Sequence, residues 1–451
     1  MKLKPMIALA ILTSQGLHAQ REPVDTAVFN RIRKAELSGS QIPQLAYYLT
    51  DVTGPRLTAS PGFQRASHWA VTTLKKWGLA NAGLEPWGEF GKQWEIQDFS
   101  IKMTAPYNQL IAGYPEPWGA NTDGSLKGEV IMLTPKQSRD TIFLKSHASS
   151  LKGKFLLNPG NPLSENDLTG PVFSRLSDSA LANIGDTFMV SDSLLRSFPA
   201  FFKNAERVSQ IKKDVGILGV VYTTMYSANG HILAQSNDGF KLTTHNTLPK
   251  ISIGIEDAQK MKRLLQSGIC VSLEVNIKGR FSTVDTKGYN VIAEIPGSDP
   301  QLKSQVVMLG AHLDSWQAAT GATDNAAGCV VMMEAMRLLD SLHLTPKRTI
   351  RIALWGGEEQ GLQGSYGYVR KHFRDGVTLK LKPEQASISA YFNLDNGSGK
   401  IRGIYTQNNT SVKPIFEQWL KPFYDLKATT VTTKNTGSTD HLAFDWAGIP
   451  G

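Results

Sequence analysis

A histidine and two carboxylates follow an apolar run in the second half of the chain. His312 and Asp314 come just after residues 306–309, a run with the length and β-branched character of a buried strand, and Asp324 comes ten residues after Asp314. Imidazole nitrogens and carboxylate oxygens are the ligands that zinc takes in proteins besides thiolates. The stretch therefore predicts a metal site where a strand gives way to a loop.

Two further acidic groups follow later strand-like runs. Glu358 and Glu359 come after residues 348–355, and Asp395 comes directly after residues 390–394. Singly, each acidic residue has an ordinary structural explanation as a helix cap, a first-turn charge or a turn. Jointly they favour one site, because neighbouring strands of an α/β sheet present their carboxyl ends at one edge. Carboxylates gathered there repel unless cations are present, and one zinc ion or a bridged zinc pair suits them.

The arrangement of elements around these residues predicts the fold class. From residue 279 onward, strand-like runs alternate with helical patterns, which indicates an α/β domain with a mixed, largely parallel sheet covered by helices. Residues 118–277 show short strand-like runs with glycine turns, typical of a separate α+β module. We therefore predict that this module is inserted into a discontinuous domain of residues 20–117 and 278–451.

Composition excludes several classes of protein. The 451 residues are 41% hydrophobic and 19% charged, as in ordinary globular proteins. The net charge of +9 is scattered and forms no basic stripe, so nucleic acid is not an expected partner. No apolar run approaches the roughly 18 residues of a membrane span. Cys270 and Cys329 are predicted to be two buried thiols in different domains and not a disulfide.

The N-terminus has the pattern of a secretory signal. Lys2 and Lys4 precede an apolar run at residues 6–13, and residues 17–19 form a cleavage-type sequence. Residues 1–19 are therefore predicted to be a signal peptide, and the remaining chain is expected to be exported to a periplasm or secreted.

Taken together, the motifs resemble those of the M28 family of zinc metallopeptidases, in the branch that carries an inserted protease-associated domain. The resemblance covers essentially the whole chain after the signal peptide. It is carried by His312-Leu313-Asp314, Thr323-Asp324-Asn325-Ala326-Ala327-Gly328, Gly357-Glu358-Glu359-Gln360-Gly361, Leu394-Asp395, Gly54-Pro55-Arg56-Leu57, Gly437-Ser438-Thr439-Asp440-His441 and Ala447-Gly448-Ile449-Pro450. It implies a zinc-exopeptidase-like catalytic domain at residues 20–117 and 278–451 and a protease-associated domain at 118–277.

The resemblance also implies the metal ligands. His312 and Asp395 would bind one zinc ion, Glu359 would bind a second, and Asp324 would bridge the two. The family has a fifth ligand, a histidine some tens of residues past the Gly-Ile-Pro motif. This sequence ends directly after that motif, so we expect that a C-terminal segment is missing and that the ligand lies beyond residue 451. His441 is interpreted as a cleft-lining or structural residue.

Two residues receive catalytic roles from the same resemblance. Glu358 would be the general base, and Asp314 would hydrogen-bond the far nitrogen of His312 and so fix its tautomer. The family often has a cis peptide bond after the bridging aspartate, here between Asp324 and Asn325.

The resulting hypothesis is an exported dizinc exopeptidase that hydrolyses terminal bonds of peptides or dipeptides through a metal-activated water. A homodimer is expected by family analogy alone. Two alternatives remain open. One is a non-catalytic receptor or binding ectodomain on the same scaffold. The other is a serine hydrolase using Ser365, although its segment lacks the first glycine of a nucleophile elbow.

Overall fold

Two β-sheets organise the part of the chain that the computed structural model describes, which comprises residues 23–162, 175–224, 229–236, 239–245, 248–395 and 399–451. The predicted signal peptide, residues 1–19, lies outside the described residues. The described helices include none that is both long enough and apolar enough to cross a membrane.

The helices and strands of the described residues are as follows, in chain order. The helices are α1 (Thr26–Gly39), α2 (Ile42–Tyr47), α3 (Pro61–Lys76), α4 (Pro135–Arg139), α5 (Thr141–Ser146), α6 (Ala148–Leu151), α7 (Asp178–Ala182), α8 (Asp192–Asp214), α9 (Ile255–Gln266), α10 (Ala327–Ser341), α11 (Gln363–His372), α12 (Lys413–Leu420) and α13 (His441–Trp446). The strands are β1 (Ala80–Glu89), β2 (Gln93–Ala105), β3 (Gln109–Leu110), β4 (Gly113–Pro115), β5 (Leu126–Met132), β6 (Lys154–Asn158), β7 (Gly219–Tyr222), β8 (Lys250–Ile253), β9 (Ser272–Ser282), β10 (Lys287–Ile295), β11 (Val306–His312), β12 (Thr349–Trp355), β13 (Ile388–Asn393), β14 (Gly403–Tyr405) and β15 (Thr430–Thr432).

The first sheet has five strands in the order β1-β10-β12-β11-β13. Strand β11 is parallel to both β12 and β13, whereas β10 is antiparallel to β12 and to β1. The sheet is therefore mixed, as predicted, with its parallel pairs confined to the three strands that precede the acidic motifs. His312 pairs with Trp355, and Gly310 pairs with Asn393, so these three strands end at the same edge.

Alternation along β12 explains why helices cover both faces of this sheet. Ile352 and Leu354 lie in a core that includes residues of α3 and α10. Ala353 and Trp355 lie in a second core, with residues of α11 and α13. Successive side chains of a strand point to opposite faces, so both sets of apolar residues are buried. The mixed α/β fold inferred from the sequence is confirmed.

The second sheet has eight strands in the order β3-β2-β9-β5-β6-β7-β8-β4. Strand β9 is antiparallel to its neighbours β2 and β5, while β5, β6, β7 and β8 run parallel. This sheet thus includes β2 to β4, which precede residue 118. The division of the chain at 118 and 277 and the assignment of a protease-associated domain remain predictions.

Candidate metal centre

The end of β11 gathers the predicted ligands around one imidazole. Nε2 of His312 lies 3.0 Å from Oδ1 of Asp324 and 3.1 Å from Oδ1 of Asp395. The ligand atoms of these three residues all lie within 4.8 Å of one another. His312 is fully buried. One nitrogen and two carboxylate oxygens at this separation are a donor set that fits zinc.

Hydrogen bonds of the Asn325 side chain connect the loop that carries Asp324 with the loop that carries Asp395. The amide nitrogen of Asn325 donates to the backbone oxygen of Leu394 at 2.9 Å, and the backbone N–H of Gly328 donates to Oδ1 of Asn325 at 3.0 Å. The neighbours of Asn325 and Leu394 in the chain are Asp324 and Asp395. The Asp324-Asn325 peptide bond is cis, as expected.

The loop after β12 carries Glu358 and Glu359, and Asp314 holds it in place. The backbone N–H groups of Glu358 and Glu359 donate to the two carboxylate oxygens of Asp314, each at 3.2 Å. The hydroxyl of Thr58 donates to the same carboxylate at 2.8 Å. Oε2 of Glu358 then lies 4.0 Å from Nε2 of His312. Glu358 therefore borders the three-residue cluster, while Glu359 stands beside it and is not one of the three.

The far nitrogen of His312 is held differently from the expectation. Nδ1 lies 3.0 Å from the backbone oxygen of Asp314, whereas the carboxylate oxygen Oδ1 is 3.7 Å away. The carboxylate already accepts hydrogen bonds from Thr58 and from the glutamate loop, and this leaves the carbonyl as the nearer acceptor. Asp314 thus contacts the imidazole mainly through its main chain.

The electrostatics of the site favour the binding of a cation. Burial raises the pKa of Glu358 and of Glu359 well above the usual value, and nearby carboxylates raise it further. Burial alone would lower the pKa of His312, but the charges of Asp395 and Glu358 raise it well above its usual value. A divalent cation at this position would offset the repulsion between the buried carboxylates.

One buried acidic residue of this region received no role from the sequence. Asp440 is fully buried and precedes α13, and burial raises its pKa to about 7. The negative charges of Asp395 and Asp314 act on it in the same direction. It was missed because an aspartate in front of a helix is usually a cap.

Arg56 is a second residue whose importance the sequence did not reveal. Its guanidinium is fully buried and donates at 2.6–2.9 Å to four backbone oxygens, those of Leu49, Leu313, Thr320 and Gly321. Leu313 separates His312 from Asp314, and Gly321 begins the turn that carries Asp324. Residues 54–57 were recognisable as one of the motifs of the resemblance, but backbone carbonyl partners cannot be read from a sequence pattern.

Four other residues named from the sequence can be placed. His441 is buried and lies outside the cluster, with Nε2 at 2.7 Å from the amide nitrogen of Gln407. Ser365 is fully buried inside α11 and donates to the backbone oxygen of Leu362, which does not suit a nucleophile elbow. Both cysteines are free, but Cys270 is exposed, so the expectation of a buried thiol was wrong there.

A cavity of about 1100 Å³ opens beside the centre. Asp395 and His441 lie in its wall together with apolar side chains such as Phe392 and Phe416. Another part of the wall comes from residues between 175 and 188, which belong to the segment between β6 and β7. Its size and largely apolar lining are typical of a pocket for a small ligand.

The sheet, the strand-end cluster and the adjoining cavity define a metallohydrolase type of site, and comparison with known proteins specifies the family. Residues 290–451 match Peptidase family M28. This match identifies residues 290–451 as an M28 peptidase domain and confirms the resemblance noted from the motifs.

Among its relatives is carboxypeptidase Q of Homo sapiens, 28% identical over 405 residues that make up 89% of this chain and 74% of that protein. Leupeptin-inactivating enzyme 1 of Streptomyces exfoliatus is 34% identical over 172 residues, 38% of this chain and 36% of that protein. This chain is thus a homologue of carboxypeptidase Q.

Solved structures show the same fold. A peptidase M28 precursor from Shewanella amazonensis SB2B superposes with a TM-score of 0.65 at 21% identity, covering 94% of this chain and 86% of the other. BSAP, a zinc aminopeptidase from Bacillus subtilis, gives a TM-score of 0.54 at 18% identity, covering 91% and 82%.

Proposed function

We propose that this protein is an exported, zinc-dependent exopeptidase that hydrolyses terminal bonds of peptides or dipeptides. The convergence of His312 Nε2 with the carboxylates of Asp324 and Asp395, 4.0 Å from a Glu358 oxygen, carries the proposal. The names of the relatives, a carboxypeptidase and an aminopeptidase, support action at a chain end. The predicted signal peptide supports export.

In this proposal two zinc ions occupy the strand-end edge. His312 and Asp395 would hold one ion, Glu359 the other, and Asp324 both. Bound zinc supplies Lewis acidity, which polarises the scissile carbonyl and makes the attacking water more acidic.

Glu358 is the general base of the proposed reaction. It accepts a proton from the attacking water and passes it to the leaving amine, which completes hydrolysis with one water consumed. Its burial favours this duty, because a carboxylate with a raised pKa both accepts and returns a proton more readily near neutral pH. Asp314 assists by fixing the backbone of the glutamate loop through both carboxylate oxygens.

The decisive experiment separates metal binding from catalysis. The purified protein should contain zinc by elemental analysis and hydrolyse members of a panel of dipeptides and aminoacyl anilides. E358Q should lower kcat by about 10²- to 10⁴-fold, because a positioned general base contributes that much. It should retain the zinc content of the wild type, since Glu358 is not assigned as a ligand.

Two results would contradict the proposal. One is full activity of E358Q, and the other is a wild-type protein that neither binds zinc nor hydrolyses the panel. The second result would favour the alternative of a non-catalytic binding ectodomain.

A further inference from the structure

The cavity beside Asp395 is partly walled by a short segment that is distant in sequence, residues 186–189, here called the strap. The backbone N–H of Thr187 donates to the oxygen of Asn435 at 3.0 Å, and the N–H of Gly437 donates to the oxygen of Thr187 at 2.9 Å. The hydroxyl of Ser438 donates to the backbone oxygen of Phe188 at 2.8 Å. The strap is therefore bound by main-chain and side-chain bonds to the loop that precedes α13.

Close packing fixes the strap further. A Cβ atom added at Gly437 would lie 2.5 Å from the backbone oxygen of Phe188, so only glycine permits this approach. Oδ1 of Asp186 accepts a hydrogen bond of 2.7 Å from the backbone N–H of Asn435. Residues 435–438, which the strap contacts, continue directly into Thr439. The hydroxyl of Thr439 accepts a hydrogen bond of 2.9 Å from the side chain of Asn393. The strap is thus connected through two contacts to the strand that leads to Asp395.

The side chain of Phe188 is the feature of the strap that packing does not explain. Its backbone has a φ of 52°, a left-handed conformation uncommon for residues other than glycine, and the residue is 72% exposed. Phe188 nevertheless lies in the wall of the cavity that contains Asp395. A fixed backbone that presents an exposed aromatic ring to a pocket is typical of a ligand contact.

We propose that Phe188 is a specificity-determining residue, against which a bulky apolar side chain of the peptide substrate packs. This inference rests on the peptidase function proposed above and adds the substrate class, namely peptides with a large aliphatic or aromatic residue beside the hydrolysed bond. Other parts of the cavity wall are apolar as well, including Phe392 of β13 and Phe416 of α12. A bulky apolar side chain in the cavity would therefore meet apolar surface besides Phe188.

The position of the cavity determines which part of a substrate would reach the ring. Asp395 belongs both to the ligand cluster and to the cavity wall, so a peptide whose scissile bond lies at the cluster places an adjoining side chain in the cavity. Water-exposed aromatic surface is covered when that side chain is apolar, and an alanine side chain is too small to cover it. Selectivity between large and small side chains is the expected consequence.

The test compares the hydrolysis of three matched substrates by F188A and by the wild type. The substrates are the anilides of alanine, leucine and phenylalanine. F188A should lower kcat/KM about tenfold for the leucyl and phenylalanyl substrates, mainly through KM, because pocket contacts of this size discriminate by about that factor. The alanyl substrate should change by less than about twofold. M189A is the matched control, because Met189 is exposed on the same strap but lies outside the cavity wall.

A purely structural role for Phe188 predicts that F188A unfolds at a lower temperature than the wild type. Because the side chain is exposed, we expect instead that F188A unfolds at the same temperature as the wild type. Equal losses for all three substrates, or no loss for any, would overturn the inference while leaving the proposed peptidase function intact.

Binding measurements make the inference independent of turnover. Calorimetry with the hydroxamates of phenylalanine and alanine should show that F188A weakens only the phenylalanine compound, again by about tenfold. If the wild type hydrolyses nothing, this selective loss still supports the role of Phe188 although the function fails. If neither compound binds, or both bind F188A as they bind the wild type, the inference is overturned.

Discussion

The two sheets of this protein differ in how far their ionisable side chains are buried. In the eight-stranded sheet, Glu274 of β9 pairs with Lys102 and Lys127 at 3.1 and 3.3 Å, and these lysines are 42% and 70% exposed. At the end of β11 in the five-stranded sheet, His312 and Asp314 are fully buried. Burying charges contributes little to stability, because desolvation costs about as much as pairing returns. Buried charges at a strand end are therefore typical of a functional site.

The eight-stranded sheet buries apolar side chains instead of ionisable ones. Leu273, Val275 and Ile277 alternate along β9 and lie in one apolar core. No ligand donor cluster of the kind found around His312 occurs elsewhere among the described residues. The eight-stranded sheet thus contributes an apolar core, whereas the five-stranded sheet carries the buried ionisable groups to which the proposed function assigns the chemistry.

The largest effect on stability is expected from the buried arginine of the site-bearing sheet. R56A should lower the free energy of unfolding by about 3–5 kcal/mol, because several buried carbonyls lose their donor. R280A is the matched control, since Arg280 is 60% exposed and pairs with Glu95 on the other sheet. It should cost about 0–1 kcal/mol in the same denaturant titration. Equal losses of unfolding free energy in R56A and R280A would contradict this difference between the sheets.

A core truncation in the eight-stranded sheet should affect stability without affecting catalysis. L273A removes a fully buried side chain and should cost about 2–4 kcal/mol, while kcat stays within about twofold of the wild type under conditions where the protein is folded. Denaturant unfolding and steady-state kinetics measure the two quantities. A tenfold fall in kcat of the folded variant would show that this sheet takes part in the chemistry.

The smallest effect on stability is expected from His372, which pairs with two glutamates outside the metal cluster. Nε2 of His372 lies 2.6 Å from Glu85 and Nδ1 lies 3.0 Å from Glu384. Burial lowers the pKa of His372, but the hydrogen bonds to these carboxylates outweigh it and raise the pKa above the usual value. A raised folded-state pKa means that the stabilisation is complete below the unfolded value of about 6.5 and is lost as pH rises through the folded value.

The corresponding measurement is a series of urea titrations against pH. H372Q should be less stable than the wild type by about 1 kcal/mol at pH 6, and the difference should shrink at pH 8 to 9. E85Q should also flatten the pH dependence of stability, because it removes the nearer carboxylate. A difference for H372Q that grows with pH would contradict the assignment.

Much of the site-bearing sheet could be predicted because its signals are local. The apolar run at 306–309 and the alternation of Ile350, Ile352 and Leu354 lie in strands of the structure, and the run at 390–394 does so up to Asn393. Their order along the chain, with helices between them, is sufficient to expect parallel neighbours that end at one edge. The approach of His312 to Asp324 and Asp395 follows from that expectation.

The duties of Asp314 and the start of the second sheet could not be predicted in the same way. The carboxylate of Asp314 accepts from Thr58, which is 256 residues away, and from the backbone of the glutamate loop. Strand β2, near the start of the chain, pairs with β9 of the eight-stranded sheet, more than 160 residues later. Both facts depend on contacts between segments that are distant in the chain.

The sequence by itself was sufficient to propose which residues carry the chemistry and to predict the strand ends at which they lie, because residue type and strand periodicity are properties of a few consecutive positions. Only the tertiary structure decided how those residues are held. Arg56 binds carbonyl oxygens, which every residue possesses, and Phe188 reaches the cavity from a segment more than 200 residues before Asp395. Such contacts join segments that are distant in the chain, and no local pattern encodes them.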